Sequence, residues 1–213
     1  MSAVFIASWT AAGIFVGVVL AAYLRRLLTS APTGVLAAKC AAPLLTAFAF
    51  GVLAWRFGHQ FDLLPYSVLA AFGVALGLVD LIEQRLPSVL IYSGTVLVGA
   101  LLATSAILYS RGPDFLRALA GMAILAAFYL ILALASRGGL GAGDLKLGGL
   151  LGLAMAWQGW PTLLAGTLVG WLLAALVRIV LRAGGRVARD VSMPLGPYLF
   201  AGAFVAVCIS PMP

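Results

Sequence analysis

The chain has 213 residues, 64% hydrophobic and 9% charged, with a mean hydropathy of +1.15. That much apolar surface excludes a soluble domain, and runs of about 20 apolar residues fit helices crossing about 30 Å of hydrocarbon. The formal charge of +7 sits in short loops beside those runs. This is the pattern of topology signals, and a nucleic-acid surface, which needs a basic patch with interleaved aromatics, is not expected.

The short alternating segments of a membrane β-barrel are absent. The predicted fold class is therefore all-α, a multi-pass membrane bundle of about eight transmembrane helices. The first run covers about 4–24 and ends at Arg25-Arg26. A cleavable signal carries its positive charge before the apolar region, so this run reads as a retained helix. Pro32 and Gly34 break the chain before a second run at about 35–55, with Lys39 placed to snorkel. A loop holding His59 and Asp62 leads past Pro65 to a third run, about 66–82, with Asp80 near its end.

After the turn Glu83-Gln84-Arg85-Leu86-Pro87, the fourth run is expected at about 88–109 and the fifth at about 115–135. The next stretch, Gly138-Gly139-Leu140-Gly141-Ala142-Gly143-Asp144-Leu145-Lys146-Leu147, is a glycine-rich turn carrying an acid and a base. A shorter sixth run, about 147–160, closes on Trp157 and Trp160, which suit an aromatic belt. The seventh and eighth runs are predicted at about 162–181 and 198–209. Cys40 and Cys208 lie in apolar runs without a CxxC partner and read as small buried hydrophobes.

Eight crossings put both termini on one side. Arg25, Arg26, Lys39, Arg85, Arg137, Lys146, Arg178, Arg182, Arg186 and Arg189 then share the other side, against Arg56, Arg111 and Arg117. The positive-inside rule makes the richer side cytoplasmic, with the N-terminus and C-terminus outside. Asp80 and Asp144 both fall at that cytoplasmic edge.

The chain holds six acids. Asp62, Asp114 and Asp190 lie in polar loops where solvation accounts for them, and Glu83 is expected to pair with Arg85 at the surface. Asp80 ends an apolar run with no base nearby. It reads equally as an interfacial acid or as half of a functional pair. Asp144 can cap a helix starting at about Leu145, while the glycines around it allow close backbone approach. Lys146 then reads as an interfacial lysine. Two carboxylates a few ångströms apart share a proton. The ionised one draws a proton from water while the protonated one polarises a peptide carbonyl. That chemistry takes no metal or other cofactor. A serine triad is not available, because His59 lies at the opposite side, and no HExxH zinc motif occurs.

Gly141-Ala142-Gly143-Asp144-Leu145-Lys146-Leu147 resembles the GxGDxKL signature of the type IV prepilin peptidases, the GxGD-type intramembrane aspartyl proteases of peptidase family A24. Asp80 followed by Leu86-Pro87 resembles that family's first catalytic aspartate. Pro194-Leu195-Gly196-Pro197-Tyr198-Leu199 resembles its PFGPxL element, with Leu195 in place of Phe. The resemblance implies Asp80 and Asp144 as the catalytic pair, with Gly141, Gly143 and Lys146 as site architecture. It implies one transmembrane peptidase domain over 1–213, its core at about 66–213. It also implies prepilin or pseudopilin precursors as substrates, cut at the cytoplasmic face of the inner membrane just before their apolar helix. Many members carry a cysteine-containing methylating domain between the first two helices. Here that link is only about 25–34 and has no CxxC, so the short form is expected to cleave without N-methylation. A proton-coupled transporter, or an inactive peptidase-like scaffold of a pilus or secretion assembly, are the alternative functions.

Overall fold

The computed structural model describes residues 2–28, 32–136, 141–184 and 194–211. These form eight helices: α1 (Ala3–Leu27), α2 (Pro32–Phe57), α3 (Leu63–Glu83), α4 (Ser88–Leu108), α5 (Gly112–Ala135), α6 (Ala142–Gln158), α7 (Trp160–Ala183) and α8 (Gly196–Ile209). No strand occurs among the described residues. Each predicted run is a helix. Several begin a few residues early because proline occupies the first turn, where its missing N–H would have no partner. Pro32 opens α2, and Pro113, Pro161 and Pro197 sit in the first turns of α5, α7 and α8.

Six helices, α1 to α5 and α7, have the length and apolarity to cross a membrane. With 17 and 14 residues, α6 and α8 are shorter. Large apolar side chains such as Phe15, Val96, Ile107 and Leu168 point outward, as lipid-facing residues do. Arg137, Gly138, Gly139, Leu140, Arg186, Arg189, Asp190 and Met193 lie outside the described residues, and so does the side chain of Lys39.

Every residue of α6 from Leu147 to Trp157 is buried, while its N-terminal Ala142 is exposed. Its backbone runs against α5. A Cβ on Gly121 would lie 2.8 Å from the Gly152 carbonyl oxygen, so only hydrogen at this crossing lets the two backbones touch. Helices in lipid associate through such close packing, because lipid is as apolar as their side chains.

The far end of α6 is fastened by polar groups that the sequence reading left in solvent. Asp62 is 4% exposed. It accepts from Trp157 Nε1 at 3.0 Å and Ser105 Oγ at 3.3 Å, and it pairs with Arg111 at 2.9 Å. The Arg111 guanidinium lies over the Trp157 ring at 4.4 Å. Arg117 donates to the carbonyls of Ala156 and Trp157, both at 2.7 Å, satisfying the open C-terminal acceptors of α6. Two expectations are thereby corrected: Asp62 is not a solvated loop acid, and Trp157 is fully buried rather than a belt residue, while Trp160 is exposed. Asp114 pairs with Arg111 and Arg117 on the same rim. Cys208 is partly covered, and Cys40 is exposed rather than buried.

Asp62→Ala should lower thermal stability in detergent by about 3 kcal/mol, because it leaves the buried Trp157 indole N–H without its acceptor and removes one of the two carboxylates on Arg111. Asp114→Ala, whose partners keep more contact with solvent, should cost less than about 1 kcal/mol. Equal shifts in the two unfolding midpoints would contradict a special role for the buried pair.

Candidate active site

The end of the bundle opposite Asp62 collects the residues singled out by motif. Asp80 sits one turn before the end of α3 and is 5% exposed. The helix stops at Gln84, which adopts the left-handed region with φ 50° and donates its N–H to the Asp80 carbonyl at 2.9 Å. Arg85-Leu86-Pro87 then carry the chain into α4, with Pro87 extended at its N-cap. Glu83 forms an ion pair with Arg85, as expected, with its own side chain largely covered.

Asp80 receives the first N–H of α8: Gly196 N–H donates to Asp80 Oδ2 at 2.9 Å. Asp144 is held in a parallel way by its own helix. The start of α6 is Ala142, not about Leu145, so Asp144 occupies the third helical position rather than the cap. From there its Oδ2 accepts from the N–H of the N-cap residue, Gly141, at 3.2 Å. Each carboxylate therefore lies at the positive end of a helix, on a donor that has no partner inside the helix. One side chain, Leu86, lies against both joints, touching Gly143 beside Asp144 and Gly196 on Asp80.

Leu86 sets the spacing between these loops. A Cβ on Gly143 would lie 2.7 Å from Leu86 Cβ, and one on Gly196 would lie 3.4 Å from Leu86 Cδ2 and 2.9 Å from Asp80 Oδ2. Gly143 and Gly196 thus both pack against one leucine, Gly143 the more tightly. Gly141 is different. A Cβ there meets nothing nearer than 3.7 Å, and its φ of −76° suits any residue. Its contribution is its N–H.

Lys146 is engaged with α4. Its Nζ donates to Ser88 Oγ at 2.7 Å and lies 5.2 Å from the Tyr92 ring centre, so it fastens the first turns of α6 and α4 together. Gly196, Leu86 and Ser88 were not chosen from sequence. Gly196 stood inside a recognised motif, but nothing in a linear motif shows that its N–H reaches Asp80.

Among the described residues, no group of three or more His, Cys, Asp or Glu side chains gathers as a metal site. His59 lies at the other end, against the Phe5 ring at 4.0 Å between centres. What remains at this end is a pair of carboxylates on two backbone donors, at the edge of an apolar bundle.

Residues 67–181 match the sequence pattern of the type IV leader peptidase family, a span that contains both acids. The chain is 32% identical over 158 residues to the prepilin leader peptidase/N-methyltransferase of Pseudomonas putida, covering 73% of this chain and 53% of that protein. It is 30% identical over 166 residues to the Pseudomonas aeruginosa protein of the same name, covering 77% and 56%. With the Bacillus subtilis protein of that name, identity is 30% over 167 residues, covering 78% and 64%. The chain spans little more than half the length of these relatives. No solved structure matches it.

Gly143→Ala should push Leu86 out of place and cost about 1–3 kcal/mol in a thermal unfolding measurement. Gly141→Ala, with open space and an unchanged N–H, should stay within about 0.5 kcal/mol of the parent. A reversed order would contradict the placement of Leu86.

Proposed function

The chain belongs to the type IV leader peptidase family, and from that premise we propose that it is an aspartic endopeptidase of the cytoplasmic membrane. It removes the N-terminal leader of prepilin-like or pseudopilin precursors. Asp80 and Asp144 are the catalytic pair. The observation that carries this reading is their shared setting: two carboxylates from distant parts of the chain, at one end of the bundle, each on a main-chain N–H.

The chemistry follows from sharing one proton. The ionised carboxylate takes a proton from water as the oxygen attacks the scissile carbonyl carbon. The protonated carboxyl gives its proton to the carbonyl oxygen, forming a gem-diol. The first carboxyl then returns its proton to the amide nitrogen while the second recovers one from a gem-diol hydroxyl. The C–N bond breaks, and the pair returns to its starting state. Holding both carboxylates on main-chain donors limits the reorganisation this sequence requires.

The excess of Lys and Arg at the Asp80 end supports a cytoplasmic site. Release of the mature N-terminus without methylation rests on the link between the first two helices, which is too short for an inserted domain.

When a precursor is co-expressed, the unaltered chain should shorten it by its leader, seen by gel shift and intact mass. Asp80→Asn and Asp144→Asn should each slow cleavage by about 100-fold or more while inserting at normal levels. Processing that survives in both variants would sink the paired-acid mechanism. Cleavage in detergent should persist in EDTA, and loss that zinc restores would point to a metallopeptidase instead.

A further inference from the structure

An apolar groove of about 240 Å³ opens on the side of the bundle between α2, α3 and α8. Its inner end is bounded by Leu81 and Pro197, the chain neighbours of Asp80 and Gly196. From there it follows α3 back to Tyr66, about 22 Å at about 1.5 Å per residue. Building on the function proposed above, we propose that this groove receives the apolar membrane segment of the precursor, delivering the residues just before that segment to Asp80.

Three observations favour this occupant. The first is position: two of the lining residues, Leu81 and Pro197, are the chain neighbours of Asp80 and Gly196, the pair joined by the hydrogen bond at the site. The second is Gly77, one turn before Asp80. A Cβ there would meet nothing of this chain nearer than 3.8 Å, so packing within the chain does not demand glycine. By contrast, the space beside Gly73 is filled by the Phe200 ring, 2.7 Å from where a Cβ would stand. Gly77 and Pro197, which a Cβ at position 77 would just touch, both line the groove, so a large side chain at 77 narrows it where a substrate helix would lie. The third is the lining, which is apolar throughout. The hydroxyl of Tyr66, its most polar member, is taken up by the Ala154 carbonyl at 2.9 Å.

Direction follows from topology. The site lies where α8 begins and α3 ends, and a leader precedes the apolar segment. The substrate helix must therefore start beside Leu81 and Pro197 and run parallel to α8, antiparallel to α3. Residues before its first turn are not helical. Their peptide bonds are open to attack, whereas those within the helix are shielded by the backbone hydrogen bonds of successive turns.

The test compares two substrates: a full precursor, and a short peptide holding the leader and scissile bond without the apolar segment. Ala201, exposed on the α8 wall, and Gly77 are changed to Ala201→Trp and Gly77→Leu. Val96→Trp, on the lipid-facing side of α4, serves as a size control. Expected is a fall of about tenfold or more in the ratio of kcat/KM for precursor over peptide in both groove variants, with no change in that ratio for the control. An unchanged ratio in the groove variants overturns the assignment and leaves the groove a lipid contact. A photo-crosslinking residue at Phe48, at the groove mouth, should capture the precursor's apolar segment. Capture of lipid alone, or of a second copy of this chain, overturns it as well. If the unaltered chain cleaves neither substrate, the proposed peptidase function itself fails. If it cleaves both but the ratio does not respond, only the groove fails.

Discussion

The hydrogen bond from Gly196 to Asp80 joins positions 116 residues apart, and much of this architecture follows from it. A carboxylate at the edge of hydrocarbon requires polar partners. Helix starts are where a transmembrane bundle has main-chain N–H groups to spare. Placing the start of α8 against the end of α3 meets both needs at once. The cost is a tight joint: a side chain on Gly196 would run into the carboxylate itself. Asp144 meets the same need with the start of its own helix. Two unrelated segments thus reach one solution, a carboxylate seated on a helix N-terminus.

That solution places demands on α6. Asp144 is fixed relative to Asp80 only if α6 cannot slide or tilt. The helix is buried along most of its length and touches α5 backbone to backbone at Gly121 and Gly152. Lys146 ties its first turn to Ser88 on α4, and Arg117 and Asp62 hold its last turn. The charged network at the far rim therefore acts on the same helix that carries the acid, about 20 Å away along its axis at about 1.5 Å per residue. A site built on anchored helices keeps its geometry better than one built on loops alone.

The helices were legible because about 20 consecutive apolar residues in a membrane protein admit little else. Asp80 and Asp144 were legible because a carboxylate stands out in such a run, and because the neighbouring motifs resemble those of a known family. The start of α6 was misplaced by three positions. An acid in a helix first turn is equally consistent with the cap and with the third position, and only the backbone distinguishes them. Asp62 and Trp157 were misread for a different reason. Their burial depends on the end of α6 meeting the loop before α3, nearly 100 residues away, and local polarity pointed outward for both. The roles of Gly196 and Leu86 were hidden in the same way. Each is defined by what presses on it from elsewhere in the chain.

The proximity of Asp80 and Asp144 is the claim on which the rest turns, and thiol cross-linking reads it directly. In a chain with Cys40 and Cys208 replaced by serine, Asp80→Cys and Asp144→Cys are introduced together and treated in native membranes with a short bifunctional thiol reagent. A paired site gives efficient linkage within one chain, seen as a single peptide spanning both positions after proteolysis. Complete modification of each cysteine separately, with no link between them, would contradict a shared catalytic pocket.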